Sequence, residues 1–375
     1  MNILYDGQIF SFQDYGGISR YYYQLFKTFL GMEGITPELI IQYSNNKYLT
    51  NLDNVHVKQF FPAHRFKGRN EIIKLLNRRF IKKCFHRQLD LNIFHPTYYH
   101  PYFMDIIGDI PFVLTIYDMA HEHYPHMFSK FDFTAEHKKK VAAKANRIIA
   151  ISEHTKNDII TLLKIPASRI DVIPLATTLS CTDAKAPSIP LPNHFILYVG
   201  KRNTYKNFFF LLQAVKVLFK TDTNCFLVCA GGGTFTKQEI REIERLHLSE
   251  RIIQIHADDT LLAYLYSKAR AFVYPSLYEG FGIPVLEAFA CGCPAILSNR
   301  SSLPEVGGDA AQYFDPENQA SLVAALSEVL NNNDAAEHMR KKGLERVKLF
   351  SWDDTARKTL ETYKKVIRSY NATVE

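Results

Sequence analysis

Ten short apolar runs, five in each half of the chain, alternate with segments of helical periodicity, and that alternation points to parallel α/β architecture. The first series is Asn2-Ile3-Leu4-Tyr5, Leu39-Ile40-Ile41, Ile93-Phe94, Phe112-Val113-Leu114-Thr115-Ile116 and Arg147-Ile148-Ile149-Ala150. The second is Phe195-Ile196-Leu197-Tyr198-Val199, Cys225-Phe226-Leu227-Val228-Cys229, Ile252-Ile253, Ala271-Phe272-Val273-Tyr274 and Ala295-Ile296-Leu297. Between them, Ser180–Pro192 carries Pro187, Pro190 and Pro192 and reads as a linker. The expected organisation is two doubly wound, Rossmann-like domains over 1–179 and 193–352, a linker over 180–192, and a terminal helix within 353–375. A chain of 375 residues has the length of two ordinary domains.

The most informative segment runs from Tyr274 to Glu287. Ala271–Tyr274 reads as a buried strand that Pro275 and Ser276 end, and Pro284 opens a helix at the first turn, where no amide donor is lost. Glu279 then falls on a loop loosened by Gly280 and Gly282, at the strand edge where open α/β sheets bind ligands. Glu287 falls about one turn into the helix, where the backbone dipole favours a carboxylate. Two acceptors on one rim suit a ligand rich in hydroxyl groups.

The string Glu279-Gly280-Phe281-Gly282-Ile283-Pro284-Val285-Leu286-Glu287 resembles, without a gap, the E-G-F-G-x-P-x-L-E signature of the retaining glycosyltransferases of family 4. The resemblance implies the GT-B fold, in which two Rossmann-like domains face each other across a cleft and the C-terminal helix crosses back to the first. It implies that Glu279 faces the donor sugar and that Glu287 holds the ribose of a nucleotide, with Gly280, Phe281, Gly282 and Ile283 lining the same site. Gly16-Gly17-Ile18-Ser19-Arg20-Tyr21 is similar to the family's first-domain loop, which places the Gly17 amide near the donor diphosphate. Arg20 reads either as a contact for an acceptor phosphate or as a solvated helix residue. After Gly200, Arg202 and Lys206 match an Arg–Lys pair of the family, expected to grip the leaving diphosphate, whereas Lys201 has no assigned role. Gly231-Gly232-Gly233 matches a glycine turn, and Ser301–Val306 a loop lining the nucleotide cleft.

The first half departs from the family pattern at one position. Many members carry His-Asp where this chain has Tyr117-Asp118, so His121 is the nearest candidate for the missing imidazole, with Asp118 as a residue that holds a sugar or orients a base. His121, Glu122 and His123 are too closely packed in sequence to read as a metal site, Cys291 and Cys293 have no matching pair for zinc, and no metal or resident cofactor is expected. Asp258-Asp259 reads as a helix cap.

The net charge of +7 favours anionic partners. Much of it lies in the 65–87 segment, where Arg65, Lys67, Arg69, Lys74, Arg78, Arg79, Lys82, Lys83 and Arg87 are interleaved with Ile72, Ile73, Leu75, Leu76, Phe80 and Ile81. That pattern fits a domain helix with a solvated basic face, and equally one that meets an anionic membrane. No nucleic-acid motif accompanies the charge. There is no secretion signal and no apolar run of the ~18 residues a spanning helix needs, so the expected place is the cytoplasm, with peripheral contact at the inner face of the membrane.

The resemblance as a whole implies a metal-independent, retaining hexosyltransferase. The Tyr-Val-Gly-x-Arg-x-x-Tyr-Lys-Asn string at 198–207 looks like mannosyltransferases of bacterial surface polysaccharides, which makes GDP-mannose the expected donor and a glycan or lipid-linked glycan of O-antigen or capsule type the expected acceptor. UDP- or dTDP-sugars, and an inactive scaffold of the same fold, are the alternatives.

Overall fold

A computed structural model describes residues 1–52, 55–64, 66–85, 91–187, 190–202 and 204–374, so Arg65 and Arg87 of the basic segment lie outside the described residues. The chain forms two compact units, Met1–Leu175 with Trp352–Glu375, and Ala176–Ser351.

The first unit is built on parallel strands β1 (Asn2–Asp6), β2 (Thr36–Ile40), β3 (Ile93–His95), β4 (Val113–Ile116), β5 (Arg147–Ala150) and β6 (Ile170–Val172). They form two three-stranded sheets, in the orders β2-β1-β3 and β4-β5-β6. A parallel bridge between Phe94 and Phe112 joins the two sheets. Ile3, Leu4, Ile93, Phe94, Val113, Leu114, Ile148 and Ile149 are wholly buried, which is why these strands read as continuous apolar runs. Pro37 is tolerated in β2 because β2 is an edge strand. Helices α1 (Gly17–Leu30), α2 (Arg69–Phe85), α3 (Ala120–His123), α4 (Thr134–Lys144) and α5 (Glu153–Leu163) connect the strands. Ser152 caps α5, its hydroxyl accepting from the Thr155 amide.

The terminal helix, Trp352–Val374, packs on this same unit. Its Tyr363 is fully buried, and the hydroxyl lies 2.5 Å from His95 Nδ1 and 3.0 Å from the Tyr5 hydroxyl. His95 Nε2 meets Thr115 Oγ1 at 2.9 Å. Burial holds the His95 imidazole down to about 3, so the network is built around a neutral ring. Thr362 donates to Asp171 on β6 and Thr355 to the Pro174 carbonyl, extending the attachment along the helix.

The second unit has one six-stranded parallel sheet, β7 (Phe195–Val199), β8 (Phe226–Ala230), β9 (Ile252–Ile255), β10 (Ala271–Tyr274), β11 (Ala295–Ser298) and β12 (Ala311–Phe314), in the order β12-β11-β10-β7-β8-β9. Around it lie α6 (Phe208–Thr221), α7 (Lys237–Arg245), α8 (Asp259–Lys268), α9 (Ile283–Ala290), α10 (Leu303–Gly307), α11 (Gln319–Asn331) and α12 (Asn333–Arg346). The chain runs outward from β7 to β9, then returns to β10 on the other side of β7. The crevice beyond the C-terminal ends of β7 and β10 is therefore the topological switch point. Asp258 caps α8, accepting from the Leu261 amide at 2.9 Å.

The dividing point falls at Leu175/Ala176, ahead of the proline-rich stretch. The stretch belongs to the second unit for a local reason: Cys181–Asp183 forms a helical turn, and the Lys185 amide donates to the Thr260 carbonyl of α8. Ser188 and Ile189 of the expected linker lie outside the described residues.

Candidate functional site

Two loops meet at the switch point of the second unit. After β7 the chain turns through Gly200, at φ 131°, into a short helical turn, Thr204–Lys206, and then passes Asn207, at φ 59°, into α6. After β10 it runs through Ser276 to Gly282. The Leu277 amide donates to the Tyr205 carbonyl at 2.8 Å and ties the loops together. Lys206 Nζ stands 2.5 Å from Glu279 Oε1 and 3.4 Å from the Tyr274 hydroxyl. Both members of the ion pair are largely buried, with 15% and 10% of their side chains exposed.

A third loop, after β11, fixes Glu279 from behind. The Glu279 amide donates to Ser301 Oγ at 2.8 Å, and the Ser302 hydroxyl donates to the Glu279 and Phe281 carbonyls. Gly280 and Phe281 are buried, and Phe281 packs edge-on against Phe350. Gly282 needs to be glycine: its φ is 104°, and a Cβ there would lie 3.0 Å from Leu303 Cδ2. Ile283 and Pro284 then open α9.

Glu287 is not on an open rim, as the spacing implied, but 5% exposed. Helix α9 is buried on nearly every side through Val285, Leu286, Ala288 and Phe289, and the Tyr266 hydroxyl donates to Glu287 Oε2 at 3.3 Å.

Arg202, expected to grip the diphosphate, is engaged by the protein itself. Its Nε donates to Glu239 Oε1 at 2.9 Å, Nη1 to the Gly231 carbonyl, and Nη2 to the carbonyls of Gly232, Gly233 and Thr234. Phe235 and Phe208 flank the guanidinium. With every guanidinium nitrogen committed and only 2% of the side chain exposed, Arg202 organises the loop. The same contacts explain the glycine turn. Gly231, Gly232 and Gly233 all have positive φ, which turns their carbonyls toward Arg202, and a Cβ on Gly232 would lie 2.8 Å from Arg202 Nη1. Lys201 is exposed at the end of β7.

The other expected site residues belong to the first unit. Gly17 is the exposed first residue of α1. Arg20 is not a solvated helix residue: it is 6% exposed, and its guanidinium donates to the Tyr48 and Tyr15 hydroxyls, whose rings stack on each other. Tyr117, where the family pattern has histidine, is buried among Tyr21, Tyr22 and Tyr99.

Among the described residues Asp118 meets no imidazole. Its Oδ1 accepts from the Ala120 amide at 3.0 Å and begins α3. The carboxylate that meets His121 is Asp132, at 3.4 Å from Nε2, and the His121 ring stacks on Phe128. Burial raises the Asp132 carboxyl, but hydrogen bonds from Thr134 and the approach of His121 hold it below its ordinary range. Lys138, wholly buried, braces this corner by donating to the Asp118 carbonyl and Glu122 Oε2. Among the described residues His121 Nδ1 is buried without a hydrogen-bond partner, and the ring lines a cavity of about 640 Å³ in the first unit.

Among the described residues one trio brings three metal-ligating atoms within 4.8 Å of one another: His194, Asp222 and Cys225. They sit at the N-terminal edge of β7 and β8, the opposite edge from Lys206. His194 Nε2 already pairs with Asp222 at 2.8 Å, and burial, then the Asp222 charge, push the Cys225 thiol up to about 12.

Known proteins match this arrangement over most of the chain. Residues 15–180 match the family described as Glycosyltransferase Family 4, and residues 182–346 the one described as Glycosyl transferases group 1. The sequence is 32% identical to O-antigen chain mannosyltransferase B of Escherichia coli over 292 residues, 72% of this chain and 74% of that protein. It is 29% identical to the serotype-specific mannosyltransferase WbdA of Escherichia coli over 250 residues, 61% of this chain but only 30% of that longer protein. Among solved structures, sucrose-phosphate synthase from Thermosynechococcus elongatus superposes with a TM-score of 0.77 over 98% of this chain and 100% of that one, at 19% identity. The fold is thus GT-B and the protein a glycosyltransferase. More narrowly, the chain belongs to glycosyltransferase family 4, the group 1 transferases.

Proposed function

We propose that this protein transfers a mannosyl group from GDP-mannose to a growing surface glycan, with retention at the anomeric carbon and without a metal ion. The observation that carries the reading is the Lys206–Glu279 pair at 2.5 Å, at the sheet edge where a dinucleotide-type ligand binds. The similarity to O-antigen mannosyltransferases supports the sugar and the acceptor class.

In this reading the donor diphosphate takes Lys206 as its cation. Glu279, released from that pair, accepts hydrogen bonds from the sugar hydroxyls. Glu287 receives the ribose hydroxyls, and Gly17 contributes an amide to the diphosphate. His121, paired with Asp132, is the first unit's proposed contact for the sugar. As the anomeric C–O bond breaks, its electron pair stays on the departing phosphate oxygen, and Lys206 stabilises the charge that collects there. The acceptor hydroxyl attacks from the same face and its proton passes to that phosphate oxygen. The one charge that develops on cleavage is thus met by Lys206 and by the transferred proton.

The outer side of α2 supports a peripheral place at the inner face of the cell membrane. Ile72 and Leu75 are 42% and 48% exposed there, beside exposed Arg79, Lys82 and Lys83, and Phe61 and Phe66 are exposed just ahead of the helix. Arg69 takes no part in that face, because it is buried and paired with Asp14.

A thermal-shift screen with GDP, UDP, dTDP, ADP and CDP, in buffer containing EDTA, tests the donor. GDP raising the melting temperature above all others, followed by mannosyl transfer in EDTA, is the expected result. A shift with UDP or dTDP alone would replace the donor, and no shift with any of them would leave an inactive scaffold of the same fold.

A further inference from the structure

The cavity of about 640 Å³ in the first unit lies where the chain leaves β1 and β3, walled by one side of α2 and by the segment from His121 to His137. Asn77 sets the rotation of α2: it is buried, its Nδ2 donates to Ser11 Oγ and the Tyr43 carbonyl, and its Oδ1 accepts from the Gln42 and Tyr43 amides. With Asn77 fixed inward, Lys74 and Arg78, three residues before and one after, reach the cavity. Lys74 and Arg78 are therefore half-buried among rings. The Arg78 guanidinium lies 5.7 Å from the centre of the Tyr102 ring, and Lys74 Nζ lies 5.0 Å from that of Phe12.

Negative charge near them is already committed or weakly held. Among the described residues no carboxylate lies within ion-pair distance of Arg78. Lys74 pairs with Glu71 at 2.7 Å, but Glu71 is 73% exposed, where such a pair contributes little. Asp6, buried below, is taken by Thr97, Gln8 and the Tyr102 hydroxyl. His100 and His137 complete the wall, with ring centres 4.8 Å apart. Burial, then the charges of Arg78, His137, Lys74 and Lys140, hold His100 down to about 4.

We propose that this cavity binds a phosphate-bearing saccharide, with the phosphate on Arg78 and Lys74 and the sugar against Phe12 and Tyr102. Arg78 offers a planar fork that matches phosphate oxygens, and Lys74 a second point charge. The apolar C–H faces of a pyranose cover the rings. As the place of an acceptor's phosphate, the site rests on the transferase reading; as an anion site, it stands alone.

The test is calorimetric titration of the full chain with inorganic pyrophosphate and with glucose 1-phosphate, in the wild type, Arg78→Gln, Lys206→Gln and the double variant. Arg78→Gln should remove one of two binding events, or weaken it at least about tenfold, and Lys206→Gln should affect the other. Arg78→Lys, which keeps the charge and loses the fork, should fall between and covers the case in which Gln perturbs the helix. Both events persisting unchanged in Arg78→Gln would overturn the proposal. So would lost sedimentation of that variant with phosphatidylglycerol–phosphatidylcholine vesicles while glucose 1-phosphate binding stays intact, since the anion would then be a lipid surface. Binding retained in a wild type that transfers no sugar would sink the transferase reading and leave the anion site standing.

Discussion

Glu279 Oε1 lies 2.5 Å from Lys206 Nζ, and the two residues come from loops on either side of the point where the second sheet reverses its strand order. Neither side chain is mostly open to solvent, so each stands in for the other's ligand. A diphosphate that takes the lysine frees the carboxylate for hydroxyl groups.

That exchange separates two substitutions at one site. Glu279→Gln keeps the shape and removes the charge. Turnover should fall roughly a hundredfold while GDP affinity changes by less than about threefold, because the contact is with the sugar. Glu287→Ala should do the reverse. Turnover of Glu279→Gln at the wild-type rate would falsify its assignment to the sugar.

Arg202 behaves as a structural charge. Arg202→Met takes the Arg202 donors from Glu239 Oε1 and four carbonyl oxygens, and unfolding free energy should drop by roughly 3–5 kcal/mol. Arg202→Met combined with Glu239→Gln should recover part of that loss. Denaturant melts of the two variants decide it: a stable single variant with weakened nucleotide binding would return Arg202 to the diphosphate.

The stability of the chain should fall as pH drops from about 6.5. His95 is held neutral down to about 3 in the folded state, whereas the unfolded imidazole takes its proton near 6.5. Across that window the unfolded state binds more protons, so stability rises with pH, by on the order of a few kcal/mol in all. His100, held down to about 4, acts in the same direction. Urea melts at pH 7.5, 5.5 and 4.5 should show the decline, and His95→Gln should flatten it. An unchanged slope in that variant would assign the effect elsewhere.

Contact of α2 with a bilayer should depend on its outer face. The triple change Arg79→Glu, Lys82→Glu, Lys83→Glu should abolish sedimentation with phosphatidylglycerol vesicles and leave the melting temperature within a few degrees, since all three side chains are exposed. Wild-type protein that stays in the supernatant at low salt would end the idea.

Central strands were legible because burial on both faces writes itself as unbroken apolar residues. Ile170–Val172 and Ala311–Phe314 were not, because polar, partly exposed residues such as Asp171 and Gln312 interrupt their apolar pattern. The Glu279 segment reads directly because its chemistry is local: strand, glycine turn, helix start. Arg202 misleads for the opposite reason. Its partners are carbonyl oxygens some thirty residues downstream, and a guanidinium that binds backbone looks in sequence like one that binds phosphate. Asp132 was missed as the partner of His121 because an intervening turn, not helical spacing, brings them together.

Tyr363 closes a cluster whose other members, Tyr5 and His95, were made hundreds of residues earlier. During synthesis the first unit therefore waits with its polar centre unfinished while the whole second unit emerges from the ribosome. A fragment ending near Leu175 would carry Tyr5 and His95 without their partner, and a clip ahead of Tyr363 would injure the oldest part of the protein rather than the newest. Quality control acting on the tail would thus report on the state of the beginning.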